Sequence, residues 1–320
     1  MANYKHVEIL SRGVKVWNEW RAQDLDIKPN LSGANLYKTD LTHANLRQAD
    51  LRKTDLRESK LTEADLFKAD LRNANLRGAN AISSDLKSAN MSGAHSITAD
   101  LSRADLKGAD MRGVRLDGSD MYEADLQETN LSSANLNKTH LLSANLSHAN
   151  LRGSNLEDAV LMIAKLGSAD LSLANLTGAK LYGTQRDDWK IDGIKCQYAY
   201  WDGPGNQRSP ADRDYKPGEF EHLYSRTPTI EYPFEDGFTP VQIAVMNQVV
   251  KVINQKTPGF ELRLDSLMLR GVPRAVFSVL HPKDRPKALT LIHQHYTGQM
   301  REAETMEAQQ YLEKWGHWDQ

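Results

Sequence analysis

A five-residue period runs through the chain from Leu31 to Gln185 without an insertion or a deletion. It comprises 31 consecutive units, beginning LSGAN, LYKTD and LTHAN. Leu or Met occupies the first position in 29 units, a small residue (Ala, Ser, Thr or Val) the fourth in all 31, and Asp or Asn the fifth in 23. Neither the 3.6-residue period of a helix nor the two-residue period of a strand produces this frame. The sequence therefore predicts a solenoid of stacked coils.

The positions of each unit divide between core and surface. The leucine and the small residue three places on are expected to face inward, because leucine supplies buried bulk and the small side chain leaves room for a neighbouring leucine. The variable and mostly polar second and third positions are expected to face solvent. Asp or Asn at the fifth position tolerates turn conformations and can hydrogen-bond nearby backbone. Each unit is thus a short extended piece followed by a turn.

The pattern A(D/N)LXX, first seen at Ala34-Asn35-Leu36-Tyr37-Lys38, resembles the pentapeptide repeat proteins over residues 31–185. The resemblance implies a right-handed quadrilateral β-helix with four units per coil, so that residues twenty positions apart share one face. At about 4.8 Å between stacked strands, such a rod is roughly 37 Å long.

Two units depart from the pattern, at Ala81 and at Ser96, where isoleucine follows as Ile82 or Ile97. The favoured interpretation is a local bulge or a shifted strand in which the isoleucine refills the core. The alternative is a recognition kink on one face.

Both ends of a solenoid need caps, because stacked coils leave unpaired strand edges. Upstream, Val7, Leu10, Val14 and Trp17 share one face of a predicted helix over about residues 5–22. Residues 1–30 are therefore predicted to form an N-terminal capping helix, with Trp17 and Trp20 in the core of the cap.

Downstream of the repeats the composition changes. Residues 186–217 contain Gly, Pro and Trp and predict a structured linker. Residues 218–320 predict a small α+β domain ending in a long helix, over about 284–315. The segment 212–220, DRDYKPGEF, is similar to a stretch that follows the repeats in many bacterial multidomain pentapeptide repeat proteins. It therefore suggests a C-terminal module of that kind.

Basic side chains are frequent at outward positions in the first half of the repeats. They form a candidate basic surface for an acidic partner or phosphates: Arg47, Arg52, Arg57, Arg72, Arg77, Lys87, Lys107 and Arg112. Over residues 31–185, however, 18 Lys and Arg residues face 19 Asp and Glu residues. A charge-mixed, solvated surface is the favoured interpretation.

Apolar side chains occupy outward positions in the last coils. They form a candidate contact stripe: Leu142, Met162, Ile163, Leu173 and Tyr182. The favoured explanation is docking of the segment that follows residue 185. The alternative is the seam of a homodimer.

No constellation of residues predicts catalysis, a metal site or a cofactor. His293 and His295 are two residues apart on a predicted helix and point to different sides, His281 is a distant third histidine, and Asp212 with Asp214 is typical of a turn. The single cysteine, Cys196, excludes an intrachain disulfide, favours a reducing compartment and is expected to be partly buried.

The formal charge of −2, the lack of a secretory leader pattern and the lack of a long apolar run favour a cytoplasmic protein without a membrane span. We expect a non-enzymatic protein-binding or scaffold protein, with the C-terminal module mediating partner contact or self-association. No specific nucleic acid is expected. The alternative is a regulator of DNA gyrase or topoisomerase, because some family members resemble duplex DNA. The rod's net charge of about −1 weakens this alternative.

Overall fold

The computed structural model describes most of the chain: residues 1–24, 26–225, 229–234, 240–257, 260, 262–268, 274–279 and 284–305. The chain divides into two compact units, Met1–Ser225 and Arg226–Gln320. The first unit contains the repeats, and the second contains a small antiparallel sheet with helices.

The repeats stack as a four-sided β-helix. Parallel β-bridges join each fifth-position residue to the residue twenty places later, from the pair Asn30 and Asp50 to the pair Lys180 and Tyr200. Four five-residue sides therefore close each coil. The first-position side chains lie in the interior, and from Leu41 onward they are at most 1% exposed through Leu181.

Hydrogen bonds account for every N–H group of a typical unit. In the unit 51–55, the N–H groups of the first, third and fifth residues donate to carbonyls of adjacent coils at 2.8–3.0 Å, and the fourth donates to the first residue's carbonyl at 3.2 Å. The remaining N–H, that of Arg52, donates to the carboxylate of Asp50 at 3.2 Å. The fifth-position side chain therefore supplies the one acceptor that the backbone does not.

The corners of the coil are tight turns. Every third-position residue from Gly33 to Gly183 has a positive φ, as the third residue of a type II turn requires. The same conformation continues at Asp188 and Gly193, and β-bridges reach Lys195 and Tyr200. The coil thus extends beyond Gln185 through two further units, 186–190 and 191–195, which lack the leucine signal at the first position or the small residue at the fourth.

The units at Ala81 and Ser96 contain no bulge, so the favoured interpretation of these units is wrong. Both residues are buried at the leucine position, and their N–H groups donate to the next coil at 2.7 Å like those of their neighbours. Ile82 and Ile97 stay at outward second positions and are half-buried. The turns and the backbone hydrogen bonds between coils determine the path of the chain. The loss of one leucine therefore changes the packing but not this path.

Ser96 provides a test of how the core tolerates a polar group. Its Oγ is buried and, within the described part of the chain, has no hydrogen-bond partner, so we expect Ser96→Ala to preserve or raise stability by about 1 kcal/mol. Ser59→Ala is the matched control, because the buried Ser59 hydroxyl donates to the Leu56 carbonyl at 2.7 Å. That change should cost about 1 kcal/mol. Thermal unfolding of both variants measures the difference, and a larger loss for Ser96→Ala would contradict the assignment.

Two helices, rather than the single predicted helix, close the N-terminal end. Helix α1 covers Tyr4–Ser11 and helix α2 covers Val14–Gln23. Gly13, between them, has a φ of 102°, which is incompatible with a continuous helix. The apolar spacing correctly predicted helical structure with Leu10 and Trp17 on the buried face, but it did not predict the break between the two helices.

The cap satisfies backbone groups at the open edge of the first coil. The indole N–H of Trp17 donates to the carbonyl of Asn45 at 2.8 Å. The side chain of Asn18 donates to the carbonyl of His43 at 2.9 Å and accepts from the N–H of Asn45 at 2.8 Å. Trp17 is fully buried and Trp20 packs on it, with ring centroids 4.9 Å apart. These contacts place both tryptophans in the cap core, as the sequence predicts.

His6 makes the cap sensitive to pH. Its Nδ1 accepts the backbone N–H of Asn30 at 2.9 Å, and burial, with the nearby positive charge of Arg21, lowers the pKa of His6 below 6.5. The stabilisation is therefore complete above pH 6.5 and is lost as the pH falls through the lowered pKa. We expect the melting temperature to fall between about pH 7.5 and 5.5. The fall should be smaller in His6→Asn, whose amide oxygen keeps an acceptor that does not titrate, and an equal fall in both proteins would contradict this role.

An aromatic cluster closes the other end of the coil. Strand β1 (Ala199–Tyr200) pairs antiparallel with β2 (Arg208–Ser209), and helix α3 covers Glu219–Tyr224. We call the cluster the aromatic cap; its buried members are Trp189, Trp201, Tyr215, Phe220 and Tyr224.

Buried Arg186 lies against the aromatic cap. Its guanidinium carbon is 4.8 Å from the ring centroid of Trp201 and 5.5 Å from that of Tyr224. The indole N–H of Trp189 donates to the carbonyl of Tyr224 at 2.8 Å, which fixes the end of α3 to the last coil. Residues 186–225 are therefore a structural part of the first unit.

The position of the aromatic cap predicts where the chain can be shortened. A fragment ending at Ser225 keeps the cap, whereas one ending at Gln185 exposes the apolar end of the coil and its unpaired strand edges. We expect fragment 1–225 to unfold cooperatively and to stay monodisperse, and fragment 1–185 to melt lower or aggregate. Circular dichroism and light scattering measure both. Equal behaviour of the two fragments would exclude a capping role for residues 186–225.

The second unit has its own core. Strands β3 (Thr229–Pro233), β4 (Arg263–Met268) and β5 (Arg274–Ser278) form an antiparallel sheet in the order β3-β5-β4. Helices α4 (Pro240–Lys256) and α5 (Arg285–Thr305) pack on each other, and buried side chains of both join the sheet in one apolar cluster. The rest of the predicted terminal helix, residues 306–315, lies outside the described residues.

Candidate binding surface

The rod presents four faces, each defined by its outward turn residues. Face 1 begins at residues 32–33, face 2 at 37–38, face 3 at 42–43 and face 4 at 47–48, and each face recurs every twenty residues. Face 1 is opposite face 3, and face 2 is opposite face 4. Only the second, third and fifth positions of each unit reach this surface.

The eight basic residues singled out in the sequence lie on three of the four faces. Their distribution is Arg47, Lys87 and Lys107 on face 4, Arg52, Arg72 and Arg112 on face 1, and Arg57 and Arg77 on face 2.

Four of these arginines form bidentate pairs with an aspartate two residues earlier. At Arg52, Nε lies 2.8 Å from one oxygen of Asp50 and Nη2 lies 2.6 Å from the other. The same geometry occurs at Arg57, Arg72 and Arg112. These hydrogen bonds hold the pKa of Asp50 below its ordinary value. One aspartate thus both completes a turn and neutralises the arginine that follows.

Most of the remaining basic residues also have acidic partners. Ion pairs join Arg47 to Asp65 at 3.1 Å, Lys87 to Asp105 at 2.8 Å, and Lys107 to Glu128 at 3.3 Å. Arg77 is the exception, with no acidic group within 4.0 Å among the described residues. The basic columns therefore present little uncompensated positive charge for phosphates, in accord with the charge-mixed interpretation.

Asparagine side chains stack along both edges of face 1, a feature that the sequence reasoning missed. The amide of Asn155 donates to Asn135 at 3.3 Å, and that of Asn175 donates to Asn155 at 3.2 Å. Asn150 donates in the same way to Asn130 at 3.2 Å. The signal was present in the sequence, because asparagine recurs at fifth positions twenty residues apart.

The residues of the predicted apolar stripe lie on opposite faces. Leu142, Met162, Ile163 and Tyr182 are on face 3, whereas Leu173 is on face 1. Ile163 and Leu173 are each 52% exposed, and the other three are half-buried. Tyr122, one coil before Leu142, extends the face 3 column. The four face 3 residues form one continuous stripe, and Leu173 is separate from it.

Cys196 lies in a setting that keeps its thiol protonated. Burial raises the pKa of the thiol to about 12, and its sulfur lies 3.4 Å from the carbonyl oxygen of Tyr198. A thiol of this kind is a poor nucleophile and a poor metal ligand at neutral pH.

The segment 212–220 forms structural contacts around the aromatic cap. The guanidinium of Arg213 binds the carboxylate of Glu219, which also accepts the N–H of Lys216 at 2.7 Å, and these bonds lower the pKa of Glu219 to about 2. Asp214 pairs with Arg208. Asp214 is therefore part of a structural ion pair.

The tail histidines occupy separate environments. His293 Nδ1 lies 2.9 Å from the hydroxyl of Tyr232. Burial, followed by the charge of Lys256, lowers the pKa of His295. His281 lies outside the described residues. Where the chain is described, no group of three or more His, Cys, Asp or Glu side chains could hold a metal ion.

A groove of about 520 Å³ lies beside face 1 at the N-terminal end. Its lining is polar and includes arginines already paired with aspartates: Met1, Ala2, Ser32, Gly33, Arg52, Lys53, Arg72 and Asn73. Among the helices described, none is long and apolar enough to cross a membrane.

Comparison with known proteins agrees with this geometry. A family model of pentapeptide repeats matches in 8 copies, over residues 30–66, 59–95, 99–137, 124–162 and 139–178. No curated protein gives a significant match.

Solved structures give three informative similarities. HetL, a pentapeptide repeat protein involved in heterocyst differentiation regulation in the cyanobacterium Nostoc sp. strain PCC 7120, is 32% identical, with 55% of this chain and 93% of HetL covered and a TM-score of 0.31. A pentapeptide repeat protein of the Arabidopsis thaliana thylakoid lumen is also 32% identical, over 31% of this chain and 66% of its own, with a TM-score of 0.25.

QnrB1, a plasmid-mediated fluoroquinolone resistance protein, is 20% identical, over 52% of this chain and 91% of its own, with a TM-score of 0.25. The five-residue frame, the twenty-residue ladder and the matching family model lead to one conclusion. The chain belongs to the pentapeptide repeat family, whose members form right-handed quadrilateral β-helices.

Proposed function

We propose that this chain is a non-enzymatic protein-binding or scaffold protein that presents the β-helix as a rigid surface. The observation that carries the proposal is the way outward side chains are fixed. Turns, ion pairs and asparagine ladders hold second, third and fifth positions in register along each face. A partner can bind such a surface with little loss of conformational entropy.

The charge pattern favours a protein partner over nucleic acid. Seven of the eight outward basic residues already have acidic partners, and binding phosphates would require those pairs to be broken. A duplex-like inhibitor of DNA gyrase would need dense negative charge, whereas residues 31–185 carry 18 basic and 19 acidic residues. In this proposal the second unit, Arg226–Gln320, contributes a partner contact or self-association.

Affinity capture from the source cells tests the proposal. The full chain, fragment 1–225 and fragment 226–320 serve as separate baits at about 150 mM salt, where weak surface attraction is screened. We expect the full chain and one fragment to retain the same protein at a fixed stoichiometry. The proposal fails if no bait retains a protein and crosslinking of the full chain finds no oligomer.

A supercoiling assay separates the proposal from the gyrase alternative. The full chain is added to purified DNA gyrase with and without a fluoroquinolone. We expect unchanged supercoiling in both conditions at micromolar protein. Inhibition, or protection from the drug, would favour the alternative over a scaffold role.

A further inference from the structure

On face 3 the hydrogen-bonding scheme of the corner changes over three consecutive coils. The preceding fifth-position residues are His140, Val160 and Lys180, whereas the five earlier coils have Asp or Asn at this position in every case except Lys60. The N–H groups two residues later, at 142, 162 and 182, consequently lack the usual side-chain acceptor. In the described part of the chain they have no hydrogen-bond acceptor at all.

These unpaired donors coincide with the apolar stripe. Leu142, Met162 and Tyr182 carry both the unpaired N–H groups and the outward apolar side chains, and Ile163 beside them is 52% exposed. A surface that combines exposed apolar area with a row of unused backbone donors favours a partner that offers apolar groups and acceptors together.

Face 3 itself carries such acceptors further toward its N-terminal end. Asp100 and Asp120 lie on one edge of face 3 and Asp125 on the other, and each accepts the backbone N–H two residues later. Among the described residues, none of the three has a basic group within 4.0 Å. A carboxylate that accepts one N–H retains capacity for further donors. These three residues therefore form an acidic half of face 3.

Uncompensated positive charge lies on the opposite side of Leu142. Lys165 is exposed, Lys180 is half-buried, and neither has an acidic group within 4.0 Å in the part of the chain that the structure describes. Face 3 thus has an acidic half, an apolar centre and a half that supplies cations and N–H donors. Such a face is complementary to its own reversed copy.

We infer that face 3 docks against face 3 of a second copy of this chain, with the two rods antiparallel. The two copies are related by a two-fold axis that lies between the two faces, runs parallel to the strands and passes beside Leu142. This axis reverses the order of the coils. It also keeps each edge of face 3 opposite the same edge of the second copy. It places Asp125 opposite Lys165 of the second copy and Asp100 opposite Lys180 of the second copy. Leu142 then packs on its own equivalent, as an isologous interface requires.

The same arrangement uses the unpaired backbone donors. The N–H of Met162 comes to lie at the level of Asp120 of the second copy, and the N–H of Tyr182 at the level of its Asp100. Coils repeat at about 4.8 Å, so a lysine side chain spans a register error of one coil. Each copy therefore supplies to the other the acceptors that its own corner lacks.

The size of the contact sets its strength. The coils from Asp100 to Lys180 span about 19 Å along the rod, and a contact of this height on one narrow face is smaller than the roughly 800 Å² per partner of stable complexes. We therefore expect weak, reversible association that decreases with salt, because the flanking ion pairs are exposed. The inference rests on the proposed function only in treating the rod as a binding surface.

A charge exchange tests the pairing. Sedimentation equilibrium of the full chain at about 1–200 μM measures association of the wild type, Asp125→Lys and Lys165→Glu. Either single change places like charges opposite each other twice per dimer, and we expect roughly tenfold weaker association. An equimolar mixture of the two variants restores opposite charges at both sites, so we expect association close to that of the wild type. Lysine already occupies fifth positions at 60, 165 and 180, so the coil accommodates it.

Two further variants separate this face from other surfaces. Ile163→Glu and Leu173→Glu alter third-position residues of equal exposure, 52%, and of similar φ, 60° and 62°, on opposite faces. Ile163→Glu should weaken association, whereas Leu173→Glu should not. A chain that stays monomeric, association that is indifferent to Ile163→Glu, or a mixture that fails to restore association would overturn the inference. A chain that stays monomeric but retains a protein in the affinity capture would overturn this inference and leave the proposed scaffold role standing.

Discussion

The hydrogen bond from a second-position N–H to the preceding fifth-position side chain is the constraint on which the coil depends. Three N–H groups of each unit bond to adjacent coils and one closes the turn, as at 51–55. The remaining N–H, that of the second residue, would face outward without a partner if the preceding residue were not Asp or Asn. At Arg52 this partner is Asp50. This requirement explains why a residue type that is weak in ordinary strands recurs at 23 of the 31 corners of this β-structure.

The same requirement shapes the electrostatics of the surface. Aspartate occupies 12 of the 31 fifth positions, and at four of them an arginine two residues later neutralises its charge, as at Arg72. Many charges are therefore balanced by neighbouring residues, and the rod as a whole is close to neutral. Consequently the informative sites are the places where the local balance fails, such as Arg77 and the corners at His140 and Val160.

The sequence predicts the coil well, because one strict period specifies turn, core and surface together. It predicts the ends less well, because capping depends on contacts between distant segments. Gly13 breaks the N-terminal helix within an unbroken apolar pattern, and Arg186 occupies a leucine position against aromatic rings that arrive from residues 201–224. The glycine is only a weak local signal of a helix end, and the contacts of Arg186 have no local signal. The prediction of a bulge at Ser96 was wrong for the opposite reason. A local irregularity in the sequence suggested a bulge, whereas the backbone hydrogen bonds between coils stay regular there.

A frame this strict also determines how a binding surface can arise. Changes at first and fourth positions disturb the core, and most changes at second and third positions alter only a solvated side chain. A change at the fifth position alters both a side chain and a backbone donor. The replacement of Asp or Asn by His140, Val160 and Lys180 in successive coils therefore creates a local need for outside acceptors along one face. Replacements also occur at Lys60, His95, Arg115 and Lys165, but a run of three on one face is the strongest physical reason for that face to bind a partner.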